Sequence, residues 1–324
     1  WSAPANNYPT YNAGGTDYIN ARQVFGIRTQ PDAGFNRYFI TVPLPGGGSV
    51  VAAMRDNLTN SHYMVYPNGI GYSGQSSMAL NLDDIASVGL NAQQAAALQY
   101  VSTHEGRFDA INSYDKGIFS YGFIQFVGAA ASGGSLNRLL ASMKANAPGS
   151  FASIFQAVGI DTDGSTTLVK NAQGYQLRGD DAWLYIQQTL PLYGAFVQAG
   201  FDPSLNLEQL RMANSLYVQP ALNFHLSVNI AGIQISIPRL QDVLSSEGVL
   251  TLVIALAVNQ GVGGMSRIMA DALAKVAAQS QISSPNALSQ VDQRAVVETI
   301  ASTTPDDRVR ARAAGVLNSD LSFA

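Results

Sequence analysis

His104-Glu105-Gly106-Arg107-Phe108-Asp109-Ala110-Ile111-Asn112-Ser113-Tyr114-Asp115, with Ser120-Tyr121-Gly122-Phe123-Ile124-Gln125-Phe126 close behind, is the stretch on which the reading of this chain turns. It sets one acid at the end of an expected helix, then a polar segment with two more acids, then an aromatic return ending on a glutamine. The helix is expected from Asn91, a capping residue type, and from Ala92 to Thr103, which is rich in Ala, Gln and Leu and holds no Gly or Pro. Leu98, Val101 and Glu105 stand at i, i+3 and i+7, so the carboxylate falls on the apolar stripe. Partial desolvation is the usual way to keep a carboxyl protonated near neutral pH, the state in which it can donate to a glycosidic oxygen. The same position also suits a helix-end Glu that simply straddles core and solvent.

A Glu closing a helix, a short spacer and then Tyr121-Gly122-Phe123-Ile124-Gln125 resembles the lysozyme-like superfamily, notably soluble lytic transglycosylases and goose-type lysozymes. The resemblance implies that Glu105 is the catalytic acid and that Gly122 to Gln125 line a sugar cleft. Tyr114 to Phe126, with Gly128, Leu136, Leu139 and Leu140 beyond, is also similar to family 46 chitosanases. Leu256-Ala257-Val258-Asn259-Gln260-Gly261 resembles the helix and Asn-x-Gly element that faces the catalytic Glu in phage-type muramidases. The similar segments cover roughly residues 90–140 and 250–264. One difference is plain: Gly106 stands where transglycosylases usually carry Ser.

Asp109 and Asp115 pose a mechanistic choice. An inverting glycosidase holds a second carboxylate about 6.5–9.5 Å from the acid and a retaining one about 5–5.5 Å, whereas substrate assistance needs none. Asp109 can alternatively bond backbone amides after the helix, and Asp115, in the turn-like Tyr-Asp-Lys-Gly, can stabilise that turn. Candidate catalytic residues are therefore Glu105, Asp115 and Asp109. Tyr114, Ser120, Tyr121, Gln125 and Asn259 are candidates to hold the sugar, with core packing or local hydrogen bonding as the alternative for each.

The 324 residues carry 47% hydrophobic and 12% charged residues, enough to bury a substantial core. A net charge of −4 without a Lys/Arg cluster argues against a nucleic-acid partner or an anionic membrane surface. Without cysteine there is no disulfide or thiolate metal site, and the scattered His62, His104 and His225 suggest no metal centre. No cofactor is expected. Val249 to Val258, the longest apolar run, is shorter than a membrane span of about 18 residues or more and reads as a buried helix. Trp1-Ser2-Ala3-Pro4-Ala5 suits the residues after a signal cleavage, which gives the expectation of a secreted or cell-envelope protein.

Residues 1–80 read as an extended, short-strand N-terminal arm, with the alternating Tyr38 to Val42, a Pro43 to Gly48 turn cluster and the apolar Val50 to Met54. Hairpins are expected over Phe224 to Ile237 and Thr167 to Leu177. Helices are expected from Asp180 and along the Met265, Ile268, Met269, Ala272 and Val276 stripe, with Arg267, Asp271 and Lys275 facing solvent. A last helix is expected after Thr304-Pro305-Asp306-Asp307, with Pro305 at its first position. Gly69 to Gly74 fits the dinucleotide pattern but precedes no amphipathic helix, so it reads as a Gly-rich turn. Asp161-Thr162-Asp163-Gly164 matches the start of a calcium loop yet lacks the closing Glu, and also reads as a turn. The expected architecture is mainly α (α+β): a lysozyme-like, mostly helical catalytic domain over 81–324 with a small β element, behind the arm. The expected function is cleavage of β-1,4 links in an amino-sugar polymer, peptidoglycan first and chitosan second. A non-catalytic glycan-binding or structural protein of the cell envelope is the alternative.

Overall fold

The computed structural model describes residues 11–13, 16–18, 25–32, 34–56, 64–79, 81–282 and 284–323. The chain forms two compact units, one from Trp1–Ala79 with Ser102–Met212 and one from Leu80–Val101 with Ala213–Ala324. The segment expected as an arm thus belongs to the same unit as the Glu105 to Gln125 stretch.

In the first unit β1 (Tyr11–Ala13) and β2 (Thr16–Tyr18) form a small ladder. β3 (Gly26–Asp32), β4 (Phe35–Pro43) and β5 (Ser49–Arg55) form a meander. It continues through β6 (Gly71–Tyr72), β7 (Ile111–Asn112), β8 (Ser120–Tyr121) and β9 (Phe126–Val127) as one antiparallel seven-stranded sheet in chain order. The period-two pattern builds its first half: Tyr38, Ile40 and Val42 are buried on β4, and Ala52 and Met54 on β5, with Tyr38 opposite Met54 and Ile40 opposite Ala52. Gly47 and Gly48 supply the positive φ of the connecting turn.

This sheet corrects the expected fold class. The described chain is about 51% helical and 18% strand, a mixed α and β protein instead of a mainly helical one with a small β element. The reason is physical: β6 to β9 are two residues long, too short for alternation to show, and are specified by backbone approach.

A second sheet, β10 (Ile160–Thr162), β11 (Thr167–Lys170) and β12 (Gln176–Arg178), lies ahead of helix Gly179–Gln188. The core of this unit is aromatic: Phe119 stacks on Trp183 at 5.8 Å and packs on Phe196 at 4.6 Å, all three fully buried. The Asn137 side-chain oxygen accepts from Trp183 Nε1 at 3.0 Å and Thr167 Oγ1 at 2.7 Å, so the polar edges of that core are satisfied.

In the second unit β13 (Leu226–Ile230) and β14 (Ile233–Ile237) form the expected hairpin, and Ala231 and Gly232 both take positive φ, as a type I′ turn requires. Helix Glu247–Gln279 buries Val249 to Ala257 and breaks at Gly261 (φ 70°, ψ 161°). By length and composition it could cross a bilayer, and 61% of its apolar window is buried inside the fold. Helices Gln293–Thr303 and Asp307–Leu317 complete the unit. Asp306, not Pro305, is the boundary residue of the last helix: its carboxylate caps the Arg308 and Val309 amides.

Candidate active site

Glu105 owes its place to both ends of its helix, Ala92–Glu105. At the start, Asn91 Oδ1 accepts from the Gln94 amide at 2.8 Å and Gln94 Oε1 accepts from the Asn91 amide at 3.1 Å, a reciprocal capping box. Leu98 and Val101 are fully buried on the stripe, and Glu105, last on it, is half-buried. At the end the Gly106 amide closes on Ser102, and the Arg107 amide then bonds Ser73 O at 3.0 Å, turning the chain towards the sheet. Gly106 has φ +136°, and a Cβ there would lie 2.4 Å from Ala110 Cβ. A side chain at this position would force a shift of its surroundings.

The sheet then supplies the opposite side. Gly71 pairs with Arg55 on one flank and Asn112 on the other. Close approach makes the glycines of this segment necessary: a Cβ on Gly69 would lie 2.3 Å from Tyr114 Cα, and one on Gly74 2.4 Å from Asp109 Oδ1. Asp109 pins the same segment. Its oxygens accept from Tyr72 Oη at 2.7 Å, the Gln75 and Ser76 amides at 2.9 Å and Ser76 Oγ at 2.7 Å. Burial, followed by the nearby Asp109 charge, pushes the Tyr72 hydroxyl well above its ordinary range, so Tyr72 stays a neutral donor.

Between these parts lies a cleft of about 340 Å³ lined by Arg55, Gly71, Tyr72, Ser73, His104, Glu105, Ile111, Asn112, Tyr114 and Gln125. Glu105 is the sole carboxylate among these lining residues. Gln125 takes an unusual positive φ of 55°, and its Nε2 donates to Gly122 O at 2.9 Å. Its Oε1 is buried with no hydrogen-bond partner among the described residues, an unmet acceptor at the cleft wall. Amide, hydroxyl and aromatic groups around one acid are what a sugar ring, with polar rim and apolar faces, can engage.

Of the residues singled out from sequence, Glu105, Tyr114 and Gln125 come together at this cleft. Asp109 does not: it is fully buried and saturated with donors, so the amide-binding reading holds and a substrate cannot reach it. Tyr121 is fully buried and accepts from Gln209 Nε2 at 3.2 Å, and Ser120 is buried within the sheet; both serve the core instead of the sugar. Asp115 is half-buried in its turn, accepting from the Gly117 amide at 2.8 Å and from Asn112 Nδ2 at 3.3 Å, which is the turn-stabilising geometry. Burial raises its carboxyl above the usual range, partly offset by those two donors and the Lys116 charge. Asn259 belongs to the second unit, on its long helix, and accepts from Gln260 Nε2 at 2.8 Å.

His104 also lines the cleft, with Nδ1 2.9 Å from Thr103 Oγ1. Arg55, Tyr72, Ser73 and Asn112 were not singled out from sequence. The one signal for Arg55 is alternation: it continues the outward-facing side of β5 after Val51 and Ala53. Asp161 and Thr162 end β10 and the chain turns after them, with Asp163 Oδ1 capping the Ser165 and Thr166 amides and Asp161 paired to Lys144 at 2.7 Å. Set against protein-family models, curated proteins and solved structures, the chain matches none of them.

Proposed function

We propose that this chain cleaves β-1,4 links of an amino-sugar polymer, peptidoglycan ahead of chitosan, as a hydrolase or lytic transglycosylase with Glu105 as general acid. The observation that carries the reading is the half-buried Glu105, sole carboxylate among the lining residues of an open cleft. The motif resemblance of Glu105 and Gly122 to Gln125 points the same way. In this scheme the Glu105 carboxyl gives its proton to the glycosidic oxygen as the bond from the anomeric carbon breaks, and the leaving sugar departs as an alcohol. The carboxylate then takes a proton from the attacking water or from the sugar's own hydroxyl, which restores the acid. Water yields a reducing end; the internal hydroxyl yields an anhydro-sugar.

With Asp109 sealed and Asp115 bound in its turn, the cleft favours schemes that need one protein carboxylate, where the substrate's acetamido group assists at the anomeric carbon. The reading carries with it a secreted or cell-envelope place of action. Incubation with purified cell walls and with chitosan tests it: soluble reducing ends or anhydro-sugars are expected, and co-sedimentation with the polymer without release would overturn the catalytic reading in favour of glycan binding.

A further inference from the structure

Arg55 is the one permanently charged cation among the residues lining the cleft, and nothing in the proposed bond cleavage uses it. It closes β5 on the strand's outward side, opposite Gly71, which contributes no side chain. Its side chain is exposed, and among the described residues no carboxylate pairs with it. The acids nearest in the sheet are occupied elsewhere. Asp32 holds Arg37 at 3.0 Å, and Asp56 accepts from the Asn36 amide at 2.7 Å and from Tyr38 Oη at 2.7 Å. Arg37, the cross-strand neighbour of Arg55, is thereby turned to Asp32, with its guanidinium 5.4 Å from the Phe35 ring centre. A guanidinium left open beside amide and hydroxyl donors is a receiver for a planar anion, since its N–H fork matches a carboxylate. Arg55 places a fixed positive charge on the cleft wall, which opposes the protonated amines of a polyglucosamine.

We infer that Arg55 is the specificity-determining residue of the cleft, receiving a carboxylate carried by the sugar polymer, so that the cleft selects an acidic amino-sugar glycan over polyglucosamine. This rests on the glycan-cleaving reading and names the substrate class of that same site. The shared chemistry is a sugar-borne carboxylate, whether an ether-linked acid arm free of peptide or a uronate.

The test compares kcat/KM of the wild type, R55Q and R55K on peptide-stripped wall glycan, on the same glycan with its carboxyls amidated, and on a uronate-containing aminoglycan. The wild type should prefer the acidic wall glycan over its amidated form by about tenfold, the scale of one charge-assisted hydrogen bond. R55Q should bring that ratio to about one, and R55K, which keeps the charge but not the fork, should restore only part of it. An unchanged ratio in R55Q overturns the inference. Cleavage of the uronate polymer assigns the shared carboxylate, and its refusal assigns the ether-linked arm. If no polymer is cleaved, the glycosidase reading fails by itself, and the same ratios are then read from binding affinities: a preference that R55Q abolishes upholds the role of Arg55, and no preference overturns it.

Discussion

Glu105 and Asp109 sit four positions apart, yet the cleft wall and the corner beneath it treat their carboxylates in opposite ways. Glu105 ends a helix half-buried at an open cleft, while Asp109 is sealed under Tyr72, Gln75 and Ser76 with its oxygens saturated by donors. The lesson is that nearness to a catalytic candidate says little about role. What separates the two acids is burial: Asp109 is sealed with backbone N–H groups converging on it, and a buried acceptor with several donors is a fixed structural member.

The largest effect should come from breaking the corner. Asp109→Ala strands the buried Tyr72 hydroxyl and the Ser76 amide and hydroxyl, and each buried orphan costs about 1–3 kcal/mol. Equilibrium urea unfolding should show a loss of about 3–5 kcal/mol. A loss under about 1 kcal/mol would mean that the corner is not held by this network. A smaller effect is expected where wall and corner meet. Gly106→Ser puts a side chain at φ +136° against Ala110, a strain of about 1–3 kcal/mol, and should lower both the thermal midpoint and turnover. Turnover at the wild-type level would show that the helix end tolerates the shift.

The smallest effect sharpens the comparison with the third acid. Burial raises the Asp115 carboxyl, so the folded chain keeps this proton to higher pH than the unfolded chain does. Its contribution to stability is therefore greatest below the ordinary carboxylate range and declines as pH rises through the raised value. Asp115→Asn should remove that decline while an amide oxygen can still accept from Gly117. As pH rises from the acid side through the raised value, urea unfolding should show the wild type losing stability relative to the variant. The opposite trend would mean that the Gly117 and Asn112 bonds outweigh burial.

Much of this was legible in sequence wherever a pattern ran long enough. The Asn91 cap, the Leu98–Val101–Glu105 stripe, the alternation of Tyr38 to Val42 and the Ile230–Ile233 hairpin each repeat over a turn or more. The seven-stranded sheet was not, because β6 to β9 are short and are flanked by Gly69 and Gly74, whose value lies in lacking a side chain at a contact distant in sequence. The candidate site split along the same line. Glu105, Tyr114 and Gln125 were readable from a local motif. Arg55 reaches the cleft only through strand pairing, and Ser120 and Tyr121 lie in a motif that the fold turns inward.

The central claim, that the accessible acid and not its buried neighbour handles the proton, is tested most directly by Glu105→Gln. The account predicts that release of reducing ends or anhydro-sugars from purified wall glycan falls by about a hundredfold or more, with the unfolding midpoint unchanged. Release at the wild-type rate by that folded variant would contradict it.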